Sequence, residues 1–136
     1  MKHTLIFLSL IFCLACNSSS QTEGESKTTL EVTTQVTLKN VNTDELKKLM
    51  ADESIQIVDV RTPEETNAGY IEGAMIGMDF IAGEFEQNLS KLDTARPVVV
   101  YCARGGRSAK AAAILKEKGF KTIYDYTDGY TGWANQ

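Results

Sequence analysis

The sequence predicts an α/β domain, a small parallel sheet with helices on both faces. Three observations carry this. Pro97-Val98-Val99-Val100-Tyr101 is apolar without alternation, as a strand covered on both sides is. Ile55, Ile57, Val58 and Val60 form a second, β-branched run. Helix starts and stops lie between these runs, so strands and helices alternate along the chain. With 43% hydrophobic and 24% charged residues in 136, the composition suits one globular domain rather than a disordered chain.

The elements follow in order. Val36, Leu38 and Val41 suggest a short first strand. Asn42 and Glu45 form a capping pair, and Leu46, Leu49 and Met50 give the helix behind them an apolar face. The Ile55 to Val60 run ends in Asp59-Val60-Arg61. Thr62-Pro63-Glu64-Glu65 then supplies a hydroxyl cap, a proline in the first turn and a glutamate placed to reach back. Gly69 keeps that helix short. Ala74 to Ile76 reads as a brief strand, and Phe80, Phe85, Leu89 and Leu92 as one amphipathic helix from about Ala82 to Leu92. Ser108 to Lys118 is an alanine-rich helix with Lys116 and Lys118 in its last turn and Gly119 beyond it. Thr122 to Tyr126 is the last strand. Ligands of such sheets gather at the carboxyl ends of the strands, and Cys102 stands at the end of the central one.

The first residues read differently. Lys2 and His3 precede a mostly apolar stretch, Leu5 to Leu14, followed by Ala15, Cys16 and the polar run Asn17 to Ser20. This is the layout of a secretory signal, short for a spanning helix. A small residue directly before a cysteine resembles a bacterial lipoprotein signal, in which Cys16 becomes the lipidated N-terminus. Cys13 departs from the leucine usual at its place, and an ordinary export signal or an uncleaved anchor are the alternatives. The chain then divides into a signal peptide (1–15), a lipidated N-terminus and Ser/Thr/Glu-rich tether (16–35) and a folded domain (36–136). The expected location is the bacterial cell envelope, facing the periplasm or exterior, with the membrane contacted through the lipid.

A formal net charge of −4 argues against nucleic acid as a partner. The single histidine, His3, falls in the expected signal peptide. The mature chain therefore has no imidazole for a Ser-His-Asp or Cys-His hydrolase, and none to ligate a metal. No metal or other cofactor is expected. Of three cysteines, Cys13 is discarded and Cys16 acylated, leaving Cys102 as the one thiol, unable to close an internal disulfide.

The neighbours of Cys102 point to its use. The order is buried strand, Cys102, Ala103, Arg104, Gly105, Gly106, Arg107, Ser108, then helix. Glycines let successive N–H groups turn inward as an anion-binding nest, and the helix N-terminus adds its unpaired donors. Arg104 and Arg107 add permanent charge. All of these favour thiolate over thiol, so the pKa of Cys102 is expected to be lowered. The plain alternative, a small core hydrophobe, does not call for two glycines and two arginines beside it.

Asp59-Val60-Arg61-Thr62-Pro63-Glu64-Glu65, Gly69 to Ala74, Cys102 to Ser108, and Asp128-Gly129 with Trp133 together resemble the rhodanese family. The resemblance runs from about Val36 to Trp133. It implies that Cys102 carries a sulfane sulfur as a persulfide, taken from a small anionic donor and passed to a thiol or cyanide acceptor. It also implies that Ala103, Arg104, Gly105, Gly106 and Arg107 cradle the sulfur, Arg107 closing the loop and Ser108 capping the helix. Asp59 and Arg61 match an acid–base pair that braces the sheet edge near the site. Three positions depart from the pattern: Ala103 replaces a common arginine, Tyr70 a common histidine, and Asp128 the first of two glycines. Phosphatases and arsenate reductases of related fold use a loop one residue longer. A weakly active sulfur or redox sensor is the other alternative.

Overall fold

The structure, a computed structural model, describes residues 35–136. The expected signal peptide, the lipidated Cys16 and nearly all of the tether lie outside the described residues. Four strands, β1 (Thr37–Val41), β2 (Gln56–Asp59), β3 (Val98–Tyr101) and β4 (Thr122–Tyr126), form one sheet in the order β1-β4-β3-β2. Every pairing is parallel. The helices are α1 (Thr43–Leu49), α2 (Pro63–Asn67), α3 (Glu84–Gln87), α4 (Gly106–Glu117) and α5 (Gly129–Ala134).

β3 is central and all four of its residues are fully buried. Because side chains alternate across a strand, it feeds two cores. Val98 and Val100 pack with Ile123, Phe85 and the α4 residues Ala111, Ala112 and Leu115. Val99 and Tyr101 pack with Leu46 of α1, Tyr126 and Ile71, against which Tyr130 and Trp133 of α5 lean. Helices thus cover both faces, as the apolar runs predict.

The two expected capping pairs form. Asn42 accepts from the Glu45 N–H and Thr62 from that of Glu65, and each glutamate reaches back to the cap N–H. Elsewhere the structure corrects the sequence reading. The Ala74 to Ile76 strand is a single bridge between Met75 and Val58. The helix expected from Ala82 to Leu92 is broken into α3 and a 3₁₀ turn, Leu89–Lys91. The break falls at Asn88, whose backbone leaves the helical region with φ −101° and ψ 6°, while its N–H and its side-chain amide both donate to the Glu84 carbonyl, at 3.0 and 2.9 Å. α4 begins at Gly106, two residues before the expected start, so Arg107 and Ser108 belong to its first turn. α5 has no counterpart in the reading. Its glycines, Gly129 and Gly132, give it little intrinsic helix propensity.

Candidate active site

Cys102 leaves β3 into a tight turn that enters α4 directly. Gly105 makes the turn with φ +84°, and a Cβ there would come within 2.9 Å of the Thr127 carbonyl. From behind, α5 holds the turn. The Tyr130 N–H donates to the Cys102 carbonyl at 2.8 Å and the Thr131 N–H to the Ala103 carbonyl at 3.1 Å. With the carbonyls held on that side, the loop N–H groups face the sulfur. Gly129, φ +62°, lets α5 approach: a Cβ there would collide with the Ala103 carbonyl oxygen and stand 2.7 Å from that of Cys102. These are the contacts that make α5 a helix despite its glycines.

The thiol is 2% exposed. Burial pushes its pKa up, but the backbone N–H groups of Ser108, Arg104 and Arg107 and the Ser108 hydroxyl outweigh that, and the net shift is down. Above it opens a cleft of about 590 Å³, lined by Cys102, Ala103, Arg104, Gly106 and Arg107, with Lys110 and Thr131. No carboxylate lines it, and three cations do. The site can therefore bring a small anion to a cysteine whose thiol is made easier to ionise.

Most of the expected site residues meet here, with two changes of role. Arg107 is not a free charge: its Nη1 and Nη2 donate to the two Glu65 oxygens at 2.7 Å each. This clamp ties the loop to α2, leaving Arg104 and Lys110 outside every ion pair among the described residues. Ser108 is not the helix cap, since Gly105 occupies that position. Its buried hydroxyl lies 3.0 Å from the Gly105 carbonyl, 2.6 Å from Asp125 and 3.9 Å from the Cys102 sulfur. Asp59 and Arg61 do not line the cleft. They form a buried ion pair at 2.7 Å at the end of edge strand β2. The Arg61 guanidinium stacks 3.9 Å from the Tyr130 ring centroid and so reaches the loop through α5.

Glu65, Lys110, Thr131, Gly129 and Tyr130 join the site without having been singled out for it. Lys110 was discoverable, three residues after Arg107 on one helix and thus beside it. Glu65 is visible in the sequence as a capping residue and as the end of the Asp59 to Glu65 motif, not as a partner of Arg107. Thr131 has no local signal.

The clamp has a pH signature. Hydrogen bonding from Arg107 holds the Glu65 carboxyl down at about 2, against an ordinary 4.5. A lowered carboxylate pKa stabilises the fold above the ordinary value, and that contribution is lost as pH falls toward the folded one. Unfolding midpoints of wild type and Glu65→Gln should therefore differ near neutral pH and converge between about 4.5 and 2. A gap that persists in acid would show that the ion pair is not its source.

Known proteins with similar sequences share this arrangement's family. The rhodanese-like domain family matches residues 42–136. A Shewanella oneidensis protein named thiosulfate sulfurtransferase GlpE is 33% identical over 95 residues, 70% of this chain and 91% of that one. A protein of Allochromatium vinosum named sulfurtransferase is 31% identical over 99 residues, 71% of this chain and 89% of that one. The crystal structure of a rhodanese-like domain protein from Staphylococcus aureus, 40% identical, superposes with a TM-score of 0.60 over 70% of this chain and 90% of its own.

Proposed function

The chain belongs to the rhodanese-like family, and on that premise we propose that it is a sulfurtransferase working through a Cys102 persulfide. The Cys102 thiolate attacks the outer, sulfane sulfur of thiosulfate. The S–S bond breaks and sulfite leaves with its electron pair. Cyanide or a thiolate then attacks the outer sulfur of the persulfide, releasing thiocyanate or a new persulfide and restoring the Cys102 thiolate. The observation that carries this reading is a buried thiol, its pKa lowered by the N–H groups of Ser108, Arg104 and Arg107, beneath a cleft with cations and no carboxylate. Mass spectrometry after thiosulfate treatment tests it. A gain of one sulfur atom on the Cys102 peptide is expected, and an unmodified peptide sinks the reading.

The donor is an anion of high charge. Thiosulfate is a dianion, whereas 3-mercaptopyruvate has one carboxylate and a thiol to accommodate. Arg104 and Lys110 supply the attraction, because Glu65 already neutralises Arg107. Arg104→Ala is expected to raise KM for thiosulfate about fivefold, the equivalent of about 1 kcal/mol for a partly exposed charge pair. The effect should weaken with added salt. Preference for mercaptopyruvate in parallel assays would remove the charge argument.

The proposal extends to location: export and attachment to the bacterial envelope through acylated Cys16. The support is Lys2, the apolar Leu5 to Leu14 stretch and the Ala15-Cys16 junction. One acyl chain holds a membrane marginally, and two anchor it stably. Cys16→Ser is expected to move the protein from the membrane to the soluble fraction. Unchanged membrane association would assign the anchor to the apolar stretch itself.

A further inference from the structure

Asp125 is a buried acid with no part in the sulfur chemistry above. It lies on β4, 4% exposed. The buried residues of α4, Ser108, Ala111, Ala112 and Leu115, bring no charge to it. Its register partners are Val100 on β3 and Asn40 on β1, so neither flanking strand pairs it with a charge. It belongs to none of the ion pairs among the described residues. The nearby titratable group is the Cys102 thiol, reached through Ser108. The cations Arg104, Arg107 and Lys110 line the cleft on which that thiol opens.

The one hydrogen-bond partner of the Asp125 side chain among the described residues is the Ser108 hydroxyl, at 2.6 Å. That hydroxyl is also 3.0 Å from the Gly105 carbonyl and 3.9 Å from the Cys102 sulfur. The neutral thiol donates to this hydroxyl; once ionised, the sulfur joins Asp125 and the Gly105 carbonyl as a third acceptor for the one hydroxyl proton.

We propose that Asp125 is a positioning residue for the sulfur, directing the Ser108 proton either toward itself or toward Cys102. The inference rests on the role of Cys102 as sulfur acceptor. An ionised Asp125 takes the Ser108 hydrogen bond and places a second negative charge behind the thiolate. A protonated Asp125 donates its own O–H to Ser108, which frees the serine proton for the sulfur. The proton that Asp125 gains comes from water or, through Ser108, from the thiol as it ionises. Burial raises the Asp125 carboxyl above its ordinary value against the opposing Ser108 hydrogen bond, while the loop donors lower the thiol. The two shifts run toward each other, and the shared Ser108 hydroxyl is the path by which one titration would act on the other.

The test is the pH profile of Cys102 carbamidomethylation by iodoacetamide in the full reduced chain, read on the Cys102 peptide by mass spectrometry. In Asp125→Asn the side chain is always neutral and its amide can donate to Ser108. The profile is expected to move to lower pH by about one unit and to become a single step. The kcat–pH profile with thiosulfate should move with it. In a Ser108→Ala background the same substitution should shift the profile less than about half as far.

A measurement on the unsubstituted protein guards against misfolding of the variants. The carboxyl-carbon NMR shift of Asp125 should show an inflection where Cys102 ionises, and should lose it once Cys102 is carbamidomethylated. Superimposable profiles for wild type and Asp125→Asn overturn the proposal, as does an Asp125 carboxyl that ignores Cys102. Alkylation needs no sulfur donor. A shifted profile in a protein that takes up no sulfur therefore supports the role of Asp125 and overturns only the sulfur-transfer reading.

Discussion

Cys102→Ser is expected to abolish thiosulfate:cyanide transfer while leaving the fold unchanged. Cys102 is buried at the end of β3 and packs with the core on the α4 side, so volume matters there. A hydroxyl is close to a thiol in size and leaves that packing nearly intact. It is far less acidic, so the N–H groups of Arg104, Arg107 and Ser108 that favour the thiolate cannot produce an alkoxide at neutral pH. Oxygen at this position also offers no persulfide. Transfer assays beside circular dichroism and an unfolding curve separate the two effects. Activity above background in a folded variant would remove Cys102 from the reaction.

Arg61→Ala is expected to cost about 3–5 kcal/mol of stability, the range for removing one partner of a buried ion pair. Asp59 is fully buried and Arg61 3% exposed. The Arg61 side chain donates to both Asp59 oxygens, to the Gly69 carbonyl at 2.7 Å and to the Glu65 carbonyl at 3.3 Å, and stacks on Tyr130. Alanine leaves a buried carboxylate and two carbonyls without their side-chain donor. Small domains have about 5–15 kcal/mol in hand, so the loss is a large fraction of the total. Lysine should rescue little, since a single ammonium cannot span the carboxylate and two carbonyls. Denaturant unfolding decides the matter, and a change below about 1 kcal/mol would mean the pair is not what secures this edge. Tyr130 donates its N–H to the Cys102 carbonyl, so activity should fall before the domain unfolds.

Where the sequence reading succeeded, the signals were short in range. The caps at Asn42 and Thr62 need only residues three apart. The unbroken apolar run of β3 announces a strand buried on both faces. Failure came where a local pattern met a stronger competitor. The Phe80 to Leu92 spacing suits one helix, but the backbone turns out of the helical region at Asn88 and resumes as a 3₁₀ turn. Ser108 follows a glycine turn as a cap would, yet the turn tightens at Gly105 and puts the hydroxyl inside the helix over Asp125.

By itself the sequence determined an α/β domain with a parallel sheet, and a cysteine delivered by the central strand into a glycine-bearing turn before a helix. Periodicity, capping and turn chemistry act within a few residues and so can be read before the fold is known. Tertiary structure alone decided the strand order β1-β4-β3-β2 and the α5 helix that braces the loop. It also decided that Glu65, 42 residues away, occupies Arg107, and that Asp125, 17 residues away, meets Ser108. Those partners are selected by burial and by the need to satisfy groups removed from water, and neither is visible until the sheet has placed distant segments side by side.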